Sequence, residues 1–215
     1  MMNVYADPIT INCRKVLAGL GLLDAPYERM HVDYFKGEHK DAAFTALNPN
    51  AALPALVDGD LVLWESNAIL QYAADKLGRD SAYPQDLKTR ADINRWLLWE
   101  SSSWFPSCYV FLVENCVKPL LGASTDQAVL EAQQAQFHKL AAILDARLAG
   151  RQWVATAGPS IADVVLAAPM HLHGWQKLPL SDHPNLRRWL TDSVEKLPCW
   201  QNTTIYEGFT TQKPN

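Results

Sequence analysis

The sequence predicts an α/β domain joined to an all-α domain. The first, over residues 1–78, is built on a four-stranded mixed sheet; a linker over 79–86 leads to a helical bundle over 87–215. Three observations carry this. Strand and helix signals alternate through the first part in the order β-α-β-α-β-β-α. Residues 79–86 have no hydrophobic period and contain Pro84, as a linker does. From Leu87 onward apolar residues recur only at helical spacing.

Residues 3–6 read as a short strand, and 7–12 as a turn rich in punctuating residues. Residues 13–20 place Val16, Leu17 and Leu20 on one helical face, with Gly21 as the C-cap. A second strand over 28–33 and a short helix over 39–47 follow. Strands over 55–57 and 61–64 flank Asp58-Gly59-Asp60, a strong hairpin signal. Ser66 then caps a helix to about Leu77, ended by Gly78. In the second part, Trp96, Leu97 and Trp99 belong to a long amphipathic run that Pro106 is predicted to kink. Phe137, Leu140, Leu144 and Leu148 share one helical face, and Leu186, Leu190, Val194 and Leu197 share another. Ser160 and Asp163 form a capping-box variant ahead of an apolar helix, a folding device rather than a chemical one.

Composition excludes several function classes. Hydrophobic residues make up 48% of the 215, charged residues 20%, and the formal net charge is -4. A weakly acidic chain without a basic stripe is a poor nucleic-acid binder. The opening MMNVYADPIT has neither a cationic start nor an apolar run, so no signal peptide is expected. No stretch reaches the roughly 18 apolar residues of a membrane span. Cys13, Cys108, Cys116 and Cys199 show neither CxxC nor zinc spacing and read as reduced thiols of a cytoplasmic protein. His171 and His173 lack a suitably spaced carboxylate or cysteine and read as ordinary helix residues, so no metal is expected.

The most informative stretch is 37–66, GEHKDAAFTALNPNAALPALVDGDLVLWES. It resembles the glutathione-binding half of glutathione transferases of the phi and theta classes. There a GEHK-type segment, an NP…PAL strand start and an ES pair follow one another at this spacing. The resemblance covers the whole chain and implies a thioredoxin-like first domain, a detoxifying transferase activity and a two-fold homodimer. It also implies a cis bond before Pro54, with the Leu53 N–H and C=O free to pair with glutathione as an added strand would; an ordinary strand-edge proline is the plain alternative. Glu65 and Ser66 would hold the γ-glutamyl end, Ser66 at a helix N-terminus that favours an anion, unless Ser66 only caps its helix. His39 and Lys40 would meet the glycyl carboxylate, although a His-Lys pair alone more often marks a solvated face.

The resemblance places the sulfur-activating hydroxyl at Thr10, where these classes usually carry serine. Asn12 offers a second donor, an arrangement similar to that of bacterial nu-class enzymes. Capping of the first helix is the simpler role for both residues. A free thiol is only about 3% ionised at pH 7, and half-ionisation needs about 2 kcal/mol. A hydroxyl donor contributes about 1.5–3 kcal/mol and a helix terminus up to about 2 kcal/mol, so neither metal nor base is required. Tyr5 reads as core and Cys13 as structural. Trp104 and Phe105, with Cys108 and Phe111 on the same helix, are candidates for an electrophile pocket, though aromatics at such spacing are more often core. Ala51-Ala52 departs from the glycine and lysine or glutamine of many relatives, which removes one glutathione contact.

Three functions are consistent with this reading. Glutathione transfer to a small hydrophobic electrophile comes first. A glutathione-dependent disulfide reductase or peroxidase using the same site is the second, and a non-catalytic binding protein that kept the fold is the third.

Overall fold

The computed structural model describes residues 1–205; residues 206–215, the end of the stretch assigned to the helical bundle, lie outside the described residues. The sheet has four strands: β1 (Met2–Ala6), β2 (Tyr27–His31), β3 (Ala55–Asp58) and β4 (Leu61–Trp64), in the order β2-β1-β3-β4. β1 pairs with β2 in parallel and with β3 antiparallel, and β3 pairs antiparallel with β4, so the sheet is mixed. Met2, Val4 and Ala6 alternate inward along the central strand and are buried. Gly59 takes φ +64° in the hairpin between β3 and β4, a value that costs glycine little.

Three helices accompany the sheet: α1 (Ile11–Leu22), α2 (Ala42–Thr45) and α3 (Ser66–Lys76). Helix α1 starts earlier than expected and runs through Gly21, so the expected C-cap at Gly21 is corrected to Leu23. Gly21 serves close packing instead, since a Cβ there would sit 2.9 Å from Cβ of Cys199. The helix expected over 39–47 is a 3-10 turn, Glu38–Lys40, followed by α2. Ser66 is the first residue of α3 rather than its cap; Glu65 takes the cap position.

Helix α4 (Leu87–Trp99) is capped by Asp86, whose carboxylate accepts from the Thr89 N–H at 2.9 Å. It continues through a π-turn (Glu100–Trp104) into α5 (Phe105–Leu112), then through a second π-turn (Val113–Val117) into α6 (Lys118–Leu120). The break expected at Pro106 therefore takes the form of a widened turn. Both of these π-turns directly precede a segment with proline in its first turn, Pro106 or Pro119; a third π-turn, Trp189–Ser193, leads into a segment without proline. Proline lacks the N–H and crowds the carbonyl one turn back, and the wider turn relieves both.

In α7 (Gln127–Leu148), Phe137, Leu140, Leu144 and Leu148 are buried on one face as expected. Helix α8 (Ile161–Ala167) opens with the Ser160–Asp163 capping box. Helices α9 (His173–Gln176), α10 (Pro184–Arg188) and α11 (Pro198–Gln201) complete the bundle. Leu186, Leu190 and Val194 are buried together, but Leu197 is corrected: it lies past the helical run in extended backbone. One apolar core runs unbroken through both halves, from Val4 and Ile69 to Trp104, Leu144 and Trp189. No helix among the described residues is long and apolar enough to cross a membrane.

Candidate functional site

A cleft of about 370 Å³ opens where the two halves meet. The turn Ile9–Thr10–Ile11–Asn12 forms its floor. Tyr34, Phe35, His39 and residues 51–53 form the wall on the sheet side, and Phe105, Tyr109 and Leu112 with Val117, Leu120 and Leu121 the wall on the helical side.

The floor is fixed from below. The Asp7 carboxylate accepts from the Ile9 N–H at 3.1 Å and the Tyr34 N–H at 2.9 Å, which ties turn to wall. Thr10 is the N-cap of α1: its Oγ1 accepts from the Cys13 N–H at 3.4 Å and donates to the Asp7 carbonyl at 3.3 Å. Both bonds are long for their type. Asn12 sits in the first turn of α1, and its Oδ1 accepts from Ser66 Oγ at 3.4 Å. The amide nitrogen of Asn12 has no partner among the described residues and borders the cleft. Cys13 is fully buried, and burial pushes its thiol up to about 12, so it is no nucleophile. Tyr5 packs half-buried against the core.

On the sheet side, the Leu53–Pro54 bond is cis, as the resemblance implied. The Leu53 backbone has no hydrogen-bond partner among the described residues and faces the cleft, with both residues buried. Ala51 takes φ +50° and Glu65 φ +73°, left-handed values that cost a non-glycine residue about 1–3 kcal/mol each and cluster at functional sites. Glu65 is exposed, whereas Ser66 is 8% exposed at the start of α3. His39 is buried, stacks on Tyr34 with ring centroids 4.8 Å apart, and keeps Nδ1 unpartnered. Lys40 is exposed and does not line the cleft, which separates it from His39.

The expectation for the aromatics needs correcting. Trp104 has no exposure and donates its indole N–H to the Leu166 carbonyl at 3.0 Å; it is core. Cys108 and Phe111 lie on the same inward stripe. Phe105, Tyr109 and Leu112, one residue further along, carry the stripe that faces the cleft. A shift of one residue turns a side chain by about 100° on a helix, and the π-turn before Phe105 moves the stripe by that much relative to α4.

Sequence reasoning missed a buried polar group under the floor. Lys15 and Glu100 are 2% and 0% exposed, with Lys15 Nζ 2.8 and 3.0 Å from the two carboxylate oxygens. Lys15 also donates to Ser66 Oγ at 3.2 Å. Asn67 Nδ2 donates to Glu100 Oε2 at 3.2 Å and to the Leu97 carbonyl at 2.9 Å. The signal in the sequence was faint: a lysine next to Arg14 in the first half of α1, followed by an apolar run. His173 finds the carboxylate that spacing alone did not supply, Glu195 at 3.2 Å. His171 is held neutral by burial, its pKa pushed down to about 3 with Arg14 nearby. No cluster of three metal-ligating side chains occurs among the described residues.

Comparison with known proteins fits this geometry. The sequence profile of the glutathione S-transferase N-terminal domain matches residues 2–75, and that of the C-terminal domain matches residues 108–196. The chain is 33% identical over 203 residues to a probable glutathione S-transferase, GSTF2, of Oryza sativa subsp. japonica, covering 91% of this chain and 92% of the relative. Glutathione transferase F7 from Populus trichocarpa superposes with a TM-score of 0.86 at 28% identity, over 98% of this chain and 100% of that one. Glutathione S-transferase I from mais, solved in complex with an atrazine glutathione conjugate, superposes at 0.84 with 25% identity, over 94% and 96% of the two chains. With both domain profiles matched in order and a third of the residues shared along nearly the full length, this chain belongs to the glutathione S-transferase family.

Proposed function

We propose that the cleft holds glutathione along its sheet side, with the sulfur over the floor turn, and that the thiolate attacks a small hydrophobic electrophile seated against Phe105 and Tyr109. The observation that carries this is the free Asn12 amide beside the Thr10 hydroxyl at the start of α1, facing a wall with no charged side chain. Two backbone groups of Leu53 would pair with the tripeptide, His39 would meet the glycyl carboxylate, and Glu65 and Ser66 the γ-glutamyl end. The thiol proton leaves to water. Asn12 then donates to the anionic sulfur, and Thr10 joins by releasing its long bond to the Asp7 carbonyl. Each such donor contributes about 1.5–3 kcal/mol, against the roughly 2 kcal/mol needed for half-ionisation at neutral pH. A carbon–sulfur bond forms as the electrophile's leaving group departs. The mais structure, which holds a conjugate of glutathione with atrazine, supports an aromatic acceptor.

The test mixes protein, glutathione and an activated aryl halide and follows thioether formation. Turnover above background is expected; no acceleration across several electrophile classes sinks the reading. Sulfur exchange with a disulfide would have to run through two glutathiones, because Cys13 is buried with a strongly raised pKa. A coupled assay with a small disulfide measures that activity directly. We further propose a cytoplasmic homodimer. Val62 and Trp64 on β4, and Leu98 on α4, leave exposed apolar side chains in both halves, as a two-fold contact between unlike domains requires. A 24.0 kDa particle in sedimentation would overturn it.

A further inference from the structure

We propose that Lys15 and Glu100 form a positioning pair for the thiolate: the buried ammonium fixes Ser66, and Ser66 fixes the Asn12 amide with its N–H groups toward the cleft. This rests on the reading that Asn12 donates to the sulfur.

The direction of each hydrogen bond makes the case. An ammonium only donates, so Ser66 Oγ must accept from Lys15, at 3.2 Å. The Ser66 hydroxyl proton is thereby turned to the Asn12 Oδ1, at 3.4 Å. With its carbonyl oxygen held at the back, the amide of Asn12 presents nitrogen to the cleft. An unrestrained asparagine can flip, and the flipped form would set a carbonyl oxygen against an anionic sulfur. Every link from Lys15 to Asn12 therefore donates toward the place where negative charge develops.

The charges are arranged the same way. Ser66 is bonded to the ammonium, while Glu100 Oε2 accepts from Asn67 Nδ2 at 3.2 Å and Ser101 Oγ at 3.4 Å. Of the two charges, the ammonium is the one linked to Ser66 and through it to Asn12. Burial pulls the Lys15 ammonium below the usual lysine range, with Glu100 and then Glu65 opposing that pull. The Phe105 ring, with its centroid 5.7 Å from Lys15 Nζ, also lines the cleft and screens the pair from water. Stability alone does not call for this construction, because a buried ion pair is often no better than an apolar pair of the same volume. Here the pair joins α1 and α3 to the first π-turn of the helical half, so it sets the floor of the cleft relative to its far wall.

The experiment titrates the ultraviolet absorbance of the thiolate against pH, with full-length protein saturated with glutathione. The double variant Lys15→Met/Glu100→Gln removes the pair without leaving one charge buried alone. It is expected to bind glutathione with the thiol pKa raised by about one unit, close to the shift in Asn12→Ala. Ser66→Ala leaves the ion pair intact and is expected to give a similar shift. Combined with Asn12→Ala, it should add nothing, because Ser66 acts through Asn12. A double variant that folds, binds glutathione and titrates like the parent overturns the proposal. If that variant does not fold, Ser66→Ala decides: lower affinity with an unmoved titration overturns it, as does a shift that adds to that of Asn12→Ala. An unmoved titration in Asn12→Ala itself sinks the underlying reading and the relay together; a shift there with none in the other variants sinks only the relay.

Discussion

Asp163 and Glu100 are both carboxylates without solvent exposure in the helical half, and they are satisfied in different ways. Asp163 accepts only neutral donors: the N–H groups of Val154 and Ser160 at 2.9 Å each, the Ser160 hydroxyl at 2.8 Å and the Trp189 indole at 2.9 Å. All belong to the same half of the chain and close the start of α8. Glu100 takes an ammonium from the other half and is joined to Asn12 by a chain of hydrogen bonds through two residues, Lys15 and Ser66. A buried acid that serves folding gathers its partners locally. One tied to chemistry draws them from across the domain junction and leaves a donor pointing outward.

Five variants test this contrast. The largest effect is expected for Asp163→Ala. It orphans buried donors, each costing about 1–3 kcal/mol, so urea denaturation should show a loss of at least about 3 kcal/mol. The thiol titration of whatever remains folded should be unmoved. Next come the floor residues. Asn12→Ala should raise the bound thiol's pKa by about one unit and lower neutral-pH activity about ten-fold, with partial recovery at higher pH. Thr10→Val should shift the titration less, since its hydroxyl is already engaged, and should cost about 1 kcal/mol of stability through the lost helix cap. A larger shift in Thr10→Val than in Asn12→Ala would transfer the main role to the hydroxyl. Tyr109→Ala should raise KM for an aromatic acceptor several-fold, on the order of the 1 kcal/mol lost with a partly buried ring, and leave the glutathione titration alone. Lys40→Ala, exposed and off the cleft, should change the KM for glutathione by less than about two-fold.

Much of this was legible in the sequence because its determinants are local. The Asp58-Gly59-Asp60 hairpin needs one residue with positive φ, and Gly59 advertises it. The Ser160–Asp163 box and the Phe137 stripe are read within a turn or two of helix. His39, Leu53 and Ser66 were expected at a glutathione site from a motif, and the structure brings His39 and Leu53 to the cleft wall and Ser66 beneath its floor. What stayed hidden depends on partners distant in sequence. Gly21 looked like a helix stop, but Cys199 explains it. Lys15 drew no reading, because the residues that bury it, Glu100 and Ser66, lie 85 and 51 positions away. Trp104 and Phe105 both read as pocket candidates, but neighbours on a helix point about 100° apart, and Trp104 enters the core while Phe105 lines the cleft.

The unbroken apolar core has a thermal consequence. Val4 and Ile69 on one side share a packed interior with Trp104 and Trp189 on the other, and the Ile161 N–H donates to the Ala82 carbonyl across the connecting segment at 3.1 Å. Melting either half alone would expose the buried flank of its neighbour to water. Calorimetry should therefore record one endotherm in place of two. Glutathione, which we propose lies along the sheet side, should move that endotherm as a whole and so protect distant helices such as α7 and α10 from proteolysis.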